Sequence, residues 1–319
     1  MSGERVAKIR PRAAAPITQH AAPNTGPIDG ASVVNGLRLA WRAWHPDGKA
    51  VDPPVLLLHG LASAKRIWDL VAPLLAVRRR VVAVDQRGHG ASDTPDDGYD
   101  IAQVVADDVA LADVLALTRP VVVGHSWGGA VALALAATYP ERVAGLVLVD
   151  GGVGDMQSRP GTSWEQVERD LRPPDFAGTP RAAFIERMRS RADLPWRPEL
   201  EEIVLNIVAL RSDGTVGPRL AWEHHRRILR SLWEFHPQEY FGRVTCPVAV
   251  ILADRGQRND PRAATFQEAK QRGADAAWAG FTQAAQKRIL WYTETAHDIP
   301  LHRPEELAAD IEAIAGETQ

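Results

Sequence analysis

The chain has one cysteine, Cys246, among its 319 residues. It can form no internal disulfide, and a reducing compartment is the simplest expectation. That cysteine precedes Pro247 and the apolar run VAVIL, the setting of a buried structural thiol rather than a reactive one. Long apolar runs are also missing: no stretch approaches the roughly 18 residues of a membrane span. The basic residues near the start (Arg5, Lys8, Arg10, Arg12) lead into no hydrophobic signal-peptide core. A cytoplasmic protein with no membrane partner is expected. A formal net charge of −3 provides no general attraction to nucleic acid. No metal-type cysteine spacing and no internal repeat stand out, so no metal and no cofactor are expected. The length suits either one large α/β domain with an insertion or two modest domains.

What is present is a rhythm. Residues 1–30 are rich in Ala, Pro and Arg without apolar periodicity and read as a disordered leader. From Ala31, Asn35-Gly36 sits between two alternating runs, the signal of a tight hairpin. The short apolar runs PVLLLHG (54–60), RVVAVD (80–85), PVVVGH (120–125) and RVAGLVLVD (142–150) follow. They show little alternation, as expected for strands of a parallel sheet covered on both faces. Helical stretches are expected at about 66–76, 101–116 and 127–138, giving the right-handed crossovers of a doubly wound sheet. From about Gly152 to Gly242 the rhythm stops, and Pro-punctuated segments read as helical with no strand. It resumes with PVAVILAD (247–254), a helix near 261–286, RILWYTE (288–294) and a closing helix after Pro304. The expected organisation is therefore a core of residues 31–152 and 243–319 with an inserted helical cap over 153–242.

Gly124-His125-Ser126-Trp127-Gly128 satisfies G-x-S-x-G, with a strand before it and a helix after it. A serine in a strained strand-to-helix turn leaves no room for side chains two positions either side. The turn exposes its hydroxyl at the carboxyl end of the sheet, beside a helix N-terminus that favours developing negative charge. Ser126 is thus the candidate nucleophile; the plainer alternative is a structural Gly-Ser-Gly turn.

Together with HGLASAKRIWD (59–69), DQRGHGASD (85–93) and AHDIPLHRPEEL (296–307), this elbow resembles the α/β-hydrolase superfamily, in the family's motif order and over most of residues 31–315. The resemblance implies a mostly parallel eight-stranded sheet with a helical cap inserted after strand 6. It also implies serine-dependent chemistry and says little about substrate. His297, in the loop where the family places its catalytic histidine, is then the expected general base. The N–H groups of Trp127 and Leu61 are the expected oxyanion donors. Of the other histidines, His125 and His89 are expected to be structural and His302 a loop residue. His224 and His225, adjacent on a helix, are expected to point in different directions rather than form a metal pair.

The acid departs from the commonest family pattern, which places it in a turn after the penultimate strand. Here that position holds glycine in Ala253-Asp254-Arg255-Gly256, and Asp254 lies two residues early. A minority of the family places the acid after the strand that follows the elbow helix, where this chain has Asp150. Asp150 is the expected acid, Asp254 the alternative, and Asp260 a lesser one.

Four of the ten tryptophans (Trp164, Trp196, Trp222, Trp233) lie in the insertion with Phe184, Met188, Leu205 and Ile207 and are expected to form lid core. Trp68 and Trp127, near the nucleophile in their motifs, are expected to line the substrate pocket. The leading expectation is a serine hydrolase cleaving a small to medium apolar ester or lactone through an acyl-enzyme. Alternatives on the same fold are a C–C bond hydrolase or a haloperoxidase-like perhydrolase; from another class comes a ligand receptor or pseudoenzyme. Epoxide hydrolase chemistry is disfavoured, because that resemblance implies Asp at the position of Ser126.

Overall fold

The computed structural model describes residues 26–158, 161–256 and 261–318; most of the expected leader and Asp260 lie outside the described residues. The chain enters through a hairpin. β1 (Ile28–Val34) and β2 (Leu37–Trp44) pair antiparallel across Asn35-Gly36. Both turn residues have positive φ, +51° and +75°, the turn whose twist matches that of paired strands. Then β3 (Val55–Leu58), α1 (Ala72–Leu75), β4 (Val81–Val84), α2 (Ile101–Val114), β5 (Val121–His125), α3 (Trp127–Thr138) and β6 (Gly145–Val149) alternate. The insertion carries α4 (Trp164–Asp170), β7 (Thr179–Pro180), α5 (Arg181–Arg189), α6 (Leu200–Asn206), β8 (Val208–Leu210), β9 (Thr215–Pro218), α7 (Trp222–Trp233) and α8 (Gln238–Phe241). β10 (Val248–Asp254), α9 (Pro261–Gly280), β11 (Lys287–Thr293), α10 (Ile299–His302) and α11 (Pro304–Gly316) complete the fold.

Eight strands form one sheet in the order β1-β2-β4-β3-β5-β6-β10-β11. The hairpin strand β2 meets β4 antiparallel, and every pairing from β4 to β11 is parallel. β3 to β6 are buried along their whole length, so their sequences show no polar face. Alternate residues nevertheless serve different layers. Leu56, Leu58, Val82 and Val122 pack with α2 and α3, whereas Val55, Leu57, Val81 and Val121 pack with Ile311 and Ile314 of α11. Each such leucine removed from water contributes roughly 2 kcal/mol.

Three local expectations are corrected. The single helix expected over 66–76 is a 3₁₀ turn at Lys65–Trp68 followed by the one-turn α1; Pro73 has no N–H and would clash with a carbonyl one turn back. The insertion is not purely helical: β7, β9 and β8 form a small antiparallel sheet. Asp213-Gly214 turns the chain back, with Gly214 at φ +79°, and the apolar Val208–Leu210 pairs with β9 instead of extending α6. The helix from 261 ends at Gly280 rather than near 286, because Ala285 N–H and Gln286 C=O are engaged at the start of β10.

The insertion rests on segments that follow strand ends. Arg66, after β3, pairs with Glu202 of α6 at 3.0 Å. Arg219 donates to Gly90 O, after β4, at 2.9 Å, and His302 of α10, after β11, contacts Asp193 O. All three core partners lie at the carboxyl edge of the sheet, where ligands of open α/β sheets bind.

Candidate active site

Ser126 sits between β5 and α3 with φ +54° and ψ −119°, a backbone conformation few non-glycine residues adopt. The chain is held there from both sides: Ser126 N–H donates to Val149 O of β6 at 2.9 Å, and Ser126 O accepts from Gly129 N at 2.9 Å. The flanking glycines are there for space. A Cβ on Gly124 would come within 2.0 Å of Gly128 O, and one on Gly128 within 2.6 Å of the carbonyls of Leu58 and His59.

The end of β3 comes up against this elbow, since a Cβ on Gly60 would lie 3.0 Å from Ser126 Cβ. Among the described residues the N–H groups of Leu61 and Trp127 donate to no protein acceptor. The loop carrying Leu61 is fixed by two buried histidines. His59 Nδ1–H donates to Gly60 O at 2.7 Å and its Nε2 accepts from Gln86 N at 3.1 Å. His89 Nδ1–H donates to Arg87 O at 2.9 Å, and its Nε2 accepts at 3.3 Å from Ala62 N, a residue at φ +57°. The His89 ring stacks on Trp127 at 5.3 Å. Burial pushes both histidines below the ordinary imidazole range, His89 far below it with His59 adding to the effect. Neutral rings are what these acceptor roles require.

His297 lies between β11 and α10. Its Nδ1–H donates to Asp150 Oδ2 at 2.6 Å, which leaves Nε2 as the basic nitrogen. Burial lowers its pKa, but the hydrogen bond to Asp150 and that carboxylate's charge outweigh it, and the net shift is upward. The ring is still 44% exposed, whereas the Asp150 side chain is fully enclosed. His125, next to Ser126 in the chain, donates Nε2–H to His297 O at 3.0 Å, tying the loop of His297 to the elbow. Burial and the neighbouring His297 push His125 down to about 4.

Asp150 has φ +47°. Its N–H donates to Ile251 O at 2.7 Å as though β6 continued, and its Oδ1 takes the next place in the ladder by accepting Ala253 N–H at 2.9 Å. Lys270 of α9 adds an ammonium 2.8 Å from Oδ1 and 2.9 Å from Oδ2. Desolvation would raise this carboxyl, but the bonds and charges of His297 and Lys270 hold it down to about 2. The alternative acid, Asp254, accepts instead from Gly256 N at 2.9 Å within its own turn.

Trp68 and Trp127 require a correction. They are 0% and 1% exposed, packed in opposite core layers, and present no surface to a pocket; large rings beside the sheet gain more from burial than from solvent. Within the insertion, Phe184, Met188 and Leu205 are buried, while Arg172 stacks on Trp222 and Arg230 on Trp164 at 4.8 and 5.0 Å. His224 stacks on Tyr99 and His225 on Trp222, so the adjacent pair diverges. Cys246 is buried, and its thiol is pushed up to about 12 by desolvation. Among the described residues no group of three His, Cys, Asp or Glu side chains is placed to hold a metal. No described helix is long and apolar enough to cross a membrane. Lys270 is the site residue that sequence reading missed; it lies 120 residues from Asp150 in no motif.

The chain is similar to known proteins over spans of different length. A segment of the 2-(acetamidomethylene)succinate hydrolase of Mesorhizobium japonicum is 40% identical over 103 residues, 32% of this chain and 37% of that protein. The putative carbamate hydrolase RutD of Variovorax paradoxus is 44% identical over 105 residues, 32% of this chain and 40% of that one. The matched stretch therefore spans well under half the length of these relatives. The crystal structure of E-2-(acetamidomethylene)succinate hydrolase superposes over 91% of this chain and 99% of its own with a TM-score of 0.69 at 21% identity, a likeness of fold. Residues 53–220 match the family model for the alpha/beta hydrolase fold, more than half of the sequence, and the chain belongs to that family.

Proposed function

We propose that the protein is a serine hydrolase that cleaves a small to medium apolar carboxylic ester or lactone through an acyl-enzyme. The observation that carries this reading is the 2.6 Å bond from His297 Nδ1 to the enclosed Asp150, beside a serine held at φ +54°. Ser126 Oγ attacks the acyl carbon while His297 Nε2 takes its proton, and Asp150 holds the ring and stabilises the imidazolium. The N–H groups of Leu61 and Trp127 receive the oxyanion, each contributing about 10²- to 10³-fold in rate. His297 then protonates the leaving alkoxide; a water, deprotonated in turn by His297, attacks the acyl-enzyme and releases the acid and Ser126.

The insertion over 153–242 acts as a lid at the carboxyl edge of the sheet, which favours small substrates over polymers. The names of the two matched relatives, hydrolases of a succinate derivative and of a carbamate, agree with a carbonyl-centred substrate. A cytoplasmic location and independence of cofactors belong to the same reading.

The test is mass analysis after exposure to a fluorophosphonate probe, with p-nitrophenyl ester turnover measured alongside. A stoichiometric adduct on Ser126, and turnover abolished by Ser126→Ala, are expected. Folded protein that forms no adduct and binds esters without turnover is instead a receptor or pseudoenzyme.

A further inference from the structure

The carboxylate of Asp150 is shared between two cation-forming groups. Oδ2 accepts from His297 Nδ1 at 2.6 Å and from Lys270 Nζ at 2.9 Å, and Oδ1 accepts from Ala253 N at 2.9 Å with the same ammonium 2.8 Å away. Lys270 Nζ also donates to Ala253 O at 2.9 Å, so two hydrogen bonds and the ion pair to Oδ1 fix its position. A base oriented by a carboxylate needs one partner on that carboxylate. Here the Lys270 side chain, reaching in from α9, contacts it as well.

We propose that Lys270 is a positioning residue for the proposed reaction: it clamps Asp150 in the orientation that meets His297, and its ammonium competes with the imidazole for that carboxylate. The inference rests on reading Asp150 and His297 as acid and base.

The physical argument is one of competing charge. A buried carboxylate alone beside an imidazole stabilises the imidazolium and raises its pKa. An ammonium on the same carboxylate opposes that rise, both by partial neutralisation and by direct repulsion. The charged and titratable groups facing His297 are few. Asp150 and Asp298 favour its charged form and Lys270 opposes it. The His125 ring lies 4.8 Å from that of His297 and is neutral, and Arg191 reaches Asp298 at 3.7 Å. Lys270 is thus a cation in direct contact with the Asp150 carboxylate of the pair. Its removal leaves Asp150 to His297, and the base stays protonated to higher pH.

The experiment is an NMR titration of the His297 ring, assigned with His297→Ala, together with pH profiles of kcat/KM for p-nitrophenyl esters. It compares the unaltered chain with Lys270→Met, Lys270→Gln and Lys270→Arg. Lys270→Gln keeps a donor to Asp150 without charge and preserves packing if Lys270→Met fails to fold. In the uncharged variants the His297 titration and the acid limb of kcat/KM are expected to move up together by about one pH unit. Activity at pH 7 then falls about tenfold and returns at high pH, while Lys270→Arg restores the original midpoint. A His297 midpoint that stays put or moves down in the folded Lys270→Gln protein overturns the proposal, as does a pH-independent loss of rate. The titration needs no turnover. Absence of ester turnover in the unaltered chain therefore counts against the serine-hydrolase reading alone, and turnover with an unmoved titration counts against Lys270 alone.

Discussion

Asp150 and Asp254 lie at the carboxyl ends of neighbouring parallel strands, β6 and β10, whose register pairs Val149 with Ile251. β6 stops first, and the chain swings through φ +47° at Asp150, so that its carboxylate fills the ladder position facing Ala253 N–H. β10 runs on to Asp254, still paired with Thr293 of β11, and its carboxylate turns to its own loop, where it meets Gly256 N–H. A strand-end aspartate becomes part of a site by stopping short of its neighbour, so that a longer strand supplies donors alongside it.

The strongest way to break this comparison is Asp150→Asn. It keeps the shape but removes the charge that orients His297, and kcat/KM for an ester is expected to fall about 10³- to 10⁴-fold. Moving an acid to the other strand end sharpens the contrast. Gly256→Asp in the Asp150→Asn background places a carboxyl at the family's commoner position, yet Gly256 sits at φ +69°, where a side chain is strained. Recovery below about tenfold is expected; larger recovery in steady-state assays means the two ends are interchangeable.

The pH profile gives the next effect. His297 titrates above the ordinary imidazole value and Asp150 near 2. The acid limb of kcat/KM is therefore expected above about pH 6.5, falling about tenfold per unit below its midpoint. A limb near pH 2 would mean that the Asp150 carboxylate, not the His297 imidazole, is the group titrating.

Stability responds in the opposite sense at the buried rings. His59, His89 and His125 have depressed pKa values when folded, so the unfolded chain binds more protons below about pH 6.5. Their contribution is fully present above that pH and is lost as pH falls towards 4. The raised pKa of His297 acts the other way and is outnumbered. A fall in Tm of about 5 °C or more between pH 6.5 and 4.5 is expected by calorimetry, and it should be smaller in His125→Gln. The smallest effect is that of Asp254→Asn, for which kcat/KM is expected to stay within about twofold.

Much of this was legible in the residues. The elbow is a local object: Ser126 and its flanking glycines lie within a few positions of one another, and the clash of a side chain at Gly124 with Gly128 O follows from the turn itself. The buried strands were legible because a sheet covered on both faces leaves no polar alternation. The three-stranded sheet of the insertion carried only the faint mark of Asp213-Gly214, and the helical reading of Val208–Leu210 lost to pairing with β9. Trp68 and Trp127 were near the nucleophile in sequence, but which way their rings packed depended on layers built from distant helices.

The amino-acid sequence by itself determined the order of strands and helices in the core and the serine at its corner, because these rest on periodicity or on a turn a few residues long; the family and the histidine after the last strand came from motifs that resemble that family's. Only the tertiary structure distinguished Asp150 from Asp254 as the partner of His297 and brought Lys270 to the same carboxylate. The reason is physical: those contacts depend on where one strand stops relative to its neighbour and on how a helix 120 residues away lies across it, and no local pattern encodes either.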